Sequence, residues 1–216
     1  MTDFATARAR MVDNQLRTST VTDHRLLSAM GEVPREAFVP AGRVALAYSD
    51  VVHPLGSGRY LAAPAPFAKL LQLAEIEHTD RILDVGAGTG YGTAVLARLG
   101  AEVTALESDA ELATKARAAL AAAGTANATV VEGSLDGAGL EREFDVIIVE
   151  GAVRSEPSEL FPLLAEGGRL VVLIGTGGSA VAHVFVRSGE EVAGRSEFNT
   201  SLPPLIATAP AETFEF

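Results

Sequence analysis

The sequence predicts an α/β fold: a doubly wound, mainly parallel sheet preceded by a helical N-terminal extension. Three observations carry that expectation. From Arg81 onward, strand and helix candidates alternate. The strand candidates include all-apolar runs such as "VIIV" and "LVVLI", which is how strands buried on both faces read. The first of them, "ILDV", runs straight into "GAGTGYGT", and a glycine-rich turn lets backbone approach a ligand closely.

The elements follow in order. From Asp3 to Leu73 the pattern is helical and irregular, with turn residues at Pro34, Pro40, Pro54, Gly56, Gly58, Pro64 and Pro66. Strands are predicted at Arg81–Val85, Glu102–Glu107, Ala128–Glu132, Phe144–Val149 and Arg169–Ile174. Helices are predicted between them at Tyr91–Leu99, Ala110–Ala123 and Glu156–Leu164; the second contains "ARAALAAAG", rich in the best helix former. The tail adds strands at His183–Arg187 and Leu205–Ala209 around a polar stretch. The reading is one domain over residues 1–216, with 1–73 as the extension and 81–216 as a Rossmann-like sheet core.

Composition narrows the function. A hydrophobic fraction of 48% fits a globular chain rather than a disordered one. The formal net charge of −11, with 17 dispersed basic residues, argues against nucleic acid as partner. No apolar run is long enough for a membrane span, and "MTDFATARARMVDNQLR" lacks a signal-peptide core. With no cysteine there is neither a disulfide framework nor a thiolate metal site, and cytoplasm is the expected compartment. His24, His53, His78 and His183 are scattered and read as ordinary surface or loop residues.

The glycine turn decides between ligands. A P-loop requires Lys after its last glycine, and none is present. The dinucleotide pattern G-x-G-x-x-G fails from either start, ending on Tyr91 or Thr93. What stands here is Asp84 followed by Gly86, Ala87, Gly88 and Gly90, with Glu107 seventeen residues beyond Gly90 at the end of the next strand. In a doubly wound sheet that acid lies beside the turn, where it accepts from ribose hydroxyls and repels a 2′-phosphate. This combination resembles motif I and the acidic strand end of class I S-adenosylmethionine-dependent methyltransferases. The same glycines would also serve tight packing in any doubly wound protein.

Three N-terminal segments narrow the class. "MVDNQL" (Met11–Leu16), "VTDHRLLSAMGEVPREAFVP" (Val21–Pro40) and "AYSDVVHPLGSG" (Ala47–Gly58) resemble, in order and spacing, the protein-L-isoaspartate O-methyltransferase family. "ILDVGAGTGYGTAVLA", "FDVIIVEGA" and "GGRLVVLIGTGG" extend the resemblance to Gly178. It implies the class I methyltransferase fold, S-adenosyl-L-methionine as cofactor, and a peptide or protein substrate bearing a carboxylate. The implied reaction is methyl transfer to the free carboxylate of an L-isoaspartyl residue, whose ester closes to a succinimide. It also implies that Asp50–Pro66 roofs the cofactor and that the N-terminal helices pack near the carboxyl edge of the sheet.

The sequence departs from the family at three places. Where the family reads G-Q-T-I-S-x-P, this chain has Gly58, Arg59, Tyr60, Leu61, Ala62, Ala63 and Pro64. Ala62 therefore stands at the family serine, and Ser57 and Tyr60 are the nearest hydroxyls. Tyr60 shares a face with Ala62 on an extended segment, and Arg59 can grip a carboxylate bidentately. At the adenine pocket the family's G-D-G becomes Gly133, Ser134 and Leu135, with Glu132 the neighbouring acid, out of phase. Gly92 replaces a frequent glutamine. These departures keep two further readings open: a family member with another methyl acceptor, and a cofactor-binding or interaction module.

Overall fold

The computed structural model describes residues 3–141, 143–176 and 179–205. The chain opens with α1 (Phe4–Met11), whose first turn is capped by Asp3 accepting from the Thr6 amide at 3.1 Å. A π-helical turn (Val12–Leu16) and a 3₁₀ turn (Arg17–Ser19) follow. In α2 (His24–Glu32), Asp23 caps the Arg25 and Leu26 amides. Pro64 starts α3 (Pro64–Gln72) at a position where a missing N–H costs nothing. Between α2 and α3 lie two 3₁₀ segments, Arg35–Ala37 and Ala41–Leu46, and a small hairpin of β1 (His53–Gly56) and β2 (Arg59–Leu61).

The sheet uses β3 (Arg81–Val85), β4 (Glu102–Glu107), β5 (Ala128–Glu132), β6 (Phe144–Val153), β7 (Leu164–Thr176), β8 (Ser179–Ser188) and β9 (Glu191–Thr200). Among the described residues it has seven strands in the order β5-β4-β3-β6-β7-β8-β9. The pairs from β5 to β7 are parallel, and the last two are antiparallel. The order reverses between β3 and β6, whose register sets Val85 opposite Val149. A crevice at such a switch point is where open α/β sheets bind ligands.

Alternation along the strands separates two cores. Ile82, Val146, Ile148 and Val171 face α2, α3, α4 (Tyr91–Leu96) and α5 (Ala110–Ala122). Leu83, Val85, Ile147, Val149, Leu170 and Val172 face the other way, onto Leu160. The first core is continuous from Met11 in α1 to Val184 in β8, so the N-terminal elements and the sheet share one interior.

Three expectations need correction. The helix expected at Glu156–Leu164 is a 3₁₀ segment, Ser158–Leu163, because Pro162 inside it removes an amide and clashes with a preceding carbonyl. The polar stretch after His183–Arg187 is strand β9, an edge strand that leaves most of its side chains in water. His53 is fully buried rather than on the surface, its Nδ1 accepting from Arg43 Nε at 3.1 Å. Burial, then the charges of Arg35 and Arg43, pushes its pKa down to about 4, so the ring is neutral. The expected strand Leu205–Ala209 lies outside the described residues except for Leu205. That residue's amide donates to the Ala152 carbonyl, and Pro204 bridges to Ala152 near the end of β6.

Candidate active site

Backbone geometry builds the floor of the site. After β3 the chain turns through Gly86, Gly88 and Gly90 at φ of 85°, 56° and 89°, a region that side chains disfavour. Gly86 and Ala87 donate to the Leu106 carbonyl at 2.9 and 3.2 Å, tying the turn to β4. One residue on, Glu107 is wholly buried and accepts on both oxygens. Its Oε1 takes the amides of Ser108 and Asp109 at 2.8 and 3.0 Å, and its Oε2 takes the Gly88 amide at 2.7 Å. Gly133 donates to the Glu107 carbonyl at 3.1 Å, which brings β5 to the same rim. Ser134 there is exposed, and Leu135 packs into the second core.

Two further acids meet beneath the turn. Asp84 is wholly buried, accepts from the Thr93 hydroxyl at 2.6 Å, and lies within hydrogen-bonding reach of the Glu150 carboxyl. Burial pushes its pKa up to about 6. The pKa of Glu150, near the end of β6, is raised by burial, then by the charge of Asp84 and by the hydrogen bond to it, which favours one shared proton between the two carboxyls. Gly92 makes this possible: a Cβ there would collide with Glu150 Oε1 and come within 2.9 Å of Phe67. Sequence reasoning missed Glu150. Its signal was an acid ending an otherwise apolar strand, opposite a glycine that the family resemblance marks as unusual.

The roof is the β1–β2 hairpin, which turns through Gly56, Ser57 and Gly58, all at positive φ. Leu55 Cδ1 lies 2.8 Å from where a Gly88 Cβ would sit, and Arg59 Nη2 lies 2.6 Å from the Gly86 equivalent. Asp50–Pro66 thus folds over the glycine turn, and the N-terminal segment reaches it through Thr89, whose hydroxyl donates to the Phe38 carbonyl at 2.6 Å. Beside Leu55 and Thr89 runs an open groove of about 570 Å³, lined also by Phe38, Val39, Pro40 and Lys115.

The three residues of the rewritten segment separate. Arg59 points inward and is only 6% exposed; its Nη2 donates to Glu107 Oε2 at 2.9 Å and its Nη1 to the Leu205 carbonyl. Tyr60, opposite Pro54, is half-buried on the hairpin's other face. Ala62 is buried, and its carbonyl accepts from Arg35 Nη2 at 2.6 Å. Arg35 also donates to the Ala47 carbonyl at 2.7 Å and lies 4.6 Å over the Tyr91 ring. Arg59 therefore sits with the residues expected to hold a cofactor.

A switch-point crevice with a tight glycine turn and a buried carboxylate on the adjacent strand defines an α/β nucleotide-type binding protein. Comparison with known proteins is more specific. The family model described as protein-L-isoaspartate(D-aspartate) O-methyltransferase (PCMT) matches residues 6–208. A protein-L-isoaspartate O-methyltransferase of Methylorubrum populi is 41% identical over 95% of this chain and 97% of its own. One of Koribacter versatilis is 43% identical over 82% of this chain and 80% of its own. A solved structure bearing the same enzyme name superposes with a TM-score of 0.78 at 25% identity, over 91% of this chain and 65% of that one. A Plasmodium falciparum structure in complex with S-adenosyl-L-homocysteine shares the fold, with a TM-score of 0.78 at 20% identity. This chain belongs to the PCMT family.

Proposed function

We propose that this protein is an S-adenosylmethionine-dependent carboxyl O-methyltransferase that esterifies the free carboxylate of L-isoaspartyl residues in proteins. The observation that carries the reading is Glu107, a buried carboxylate held by three backbone amides against the glycine turn. The residues fit the cofactor chemically. Glu107 Oε2 offers a ribose hydroxyl the one acceptor position that Arg59 takes here, the turn admits close approach, and the buried Asp84–Glu150 pair suits a cationic group such as an ammonium. When bound, S-adenosylmethionine supplies a methyl group activated by its sulfonium.

The chain's own residues then have little acid–base work to do. A carboxylate acceptor is already nucleophilic, so no general base is needed. The hairpin and the N-terminal segment exclude water and fix the acceptor in line, which is where the rate gain arises. The groove beside Leu55 suits an extended peptide carrying the acceptor. The proposal extends to a cytoplasmic location, in keeping with a cysteine-free sequence. It also treats residues 1–216 as one domain, supported by the core that the extension and sheet share.

One observation favours a second reading, a different methyl acceptor. Ala62 carries no hydroxyl where the family resemblance places a serine, and Arg59 is drawn away to Glu107. A labelled-methyl transfer assay with an isoaspartyl peptide and its normal-aspartyl twin separates the two. Base-labile methyl ester on the isoaspartyl peptide alone is the expected result. Binding of S-adenosylhomocysteine without ester on either peptide would overturn isoaspartyl methylation in favour of another acceptor or a cofactor-binding module.

A further inference from the structure

The Arg59–Glu107 pair is out of place for a finished cofactor site. Glu107 holds three amide donors without Arg59, so the guanidinium is a surplus partner on Oε2. The guanidinium also lies against the Gly86 backbone, and its Nε is buried with no partner. Other basic side chains of the hairpin region and the groove have partners of their own. Arg35 serves two carbonyls, Arg43 serves His53 and the Val52 carbonyl, and Lys115 pairs with Glu111.

Resting on the proposed methyltransferase reading, we propose that Arg59 is displaced by the cofactor and then binds the acceptor. In the free protein it neutralises Glu107 and fills the ribose side of the crevice. When a ribose hydroxyl claims Glu107, Arg59 loses its carboxylate partner and is left as a buried guanidinium that hydrogen-bonds neither Asp84 nor Glu150, the two remaining acids that feel its charge. Such a group is costly until a new anion pairs with it. The acceptor carboxylate is that anion, and a guanidinium takes a carboxylate bidentately. Arg59 is thus an acceptor-binding residue that becomes available only after the cofactor is in place. Because the two ligands share one arginine, each strengthens the binding of the other, by linkage.

Calorimetry tests this without turnover. S-Adenosylhomocysteine is titrated into the native protein and into Arg59→Gln, and an isoaspartyl peptide is titrated into each with and without saturating S-adenosylhomocysteine. In the native protein the peptide should bind about tenfold or more tightly when S-adenosylhomocysteine is present. Arg59→Gln should bind S-adenosylhomocysteine more tightly than the native protein and lose the coupling to the peptide. The native-protein arm needs no variant, and circular dichroism melting confirms that Arg59→Gln is folded. Peptide affinity that ignores S-adenosylhomocysteine in the native protein overturns the inference. So does unchanged or weakened S-adenosylhomocysteine binding in Arg59→Gln, since Arg59 would then stay on Glu107. If neither protein binds S-adenosylhomocysteine, the methyltransferase reading itself fails.

Discussion

The floor and the roof of the crevice are held by different kinds of bond. On the floor, main-chain donors do the holding: Gly86 and Ala87 donate to Leu106, and the amides of Gly88, Ser108 and Asp109 donate to Glu107. Those bonds depend on glycine dihedrals and on one acid, and hardly on other side chains. The roof is held by side chains: Arg59 to Glu107 and Leu205, Arg35 to Ala62, and Leu55 against the turn. A backbone-built site leaves few permissible substitutions, whereas a side-chain-built roof can be rewritten while its scaffold stays. That is the pattern here, with a family-like glycine turn beneath a divergent "GRYLAAP".

Glu107→Ala should produce the largest effect, because the floor has one side chain that nothing replaces. Charge-assisted hydrogen bonds contribute about 1.5–3 kcal/mol each, so affinity for S-adenosylhomocysteine should fall by roughly ten- to a hundredfold. Unchanged affinity by calorimetry would remove Glu107 from the site and erase the contrast between floor and roof.

The acids beneath the turn give an intermediate effect, with a defined pH signature. Burial raises the pKa of Asp84 to about 6 and that of Glu150 above the usual carboxylate range. Across the interval from the ordinary carboxylate pKa up to those raised values, the folded protein binds more protons than the unfolded chain. Stability therefore falls as pH rises through that interval. Glu150→Gln removes one of the two charges and should raise the urea midpoint of the cofactor-free protein at pH 8, with little gain at pH 4. Urea titrations at the two pH values measure this. A loss of stability at pH 8 would show that the ionised pair is satisfied in the free protein.

The smallest effect belongs to the roof. Ala62→Ser restores one hydroxyl on a segment whose carbonyl Arg35 already holds. A well-aimed donor is worth about 2.7–4 kcal/mol in favourable sites. Arg59 and Tyr60 also differ from the family pattern, so turnover on an isoaspartyl peptide should rise by only about two- to tenfold. No gain would place the difference from the family outside this position.

Much of the molecule was legible in the sequence, and the reason is locality. Strands β3 to β5 and helices α4 and α5 are written in short periodic runs with clear starts, and the glycine turn needs only its neighbours to adopt its shape. Asp84 and Glu107 follow once the strands are placed, because adjacent parallel strands bring their carboxyl ends together. The 3₁₀ segment at Ser158–Leu163 and edge strand β9 were harder to read, since one depends on a proline inside the run and the other on a partner already in the sheet.

The decisive contacts at the site join distant parts of the chain. Arg59 and Glu107 are 48 residues apart, Arg59 and Leu205 are 146 apart, and Arg35 and Ala62 are 27 apart. Sequence pattern marks each residue as basic, acidic or apolar but does not say which desolvated groups will meet. The sequence by itself determined the parallel strands of the sheet, the turn and the acid that faces it, because these are set by backbone dihedrals and strand period. Only the tertiary structure decided that Arg59 lies on Glu107, that Glu150 fills the space left by Gly92, and that His53 is buried and neutral. Burial determines the protonation and pairing of such groups, and burial arises when the roof closes on the floor.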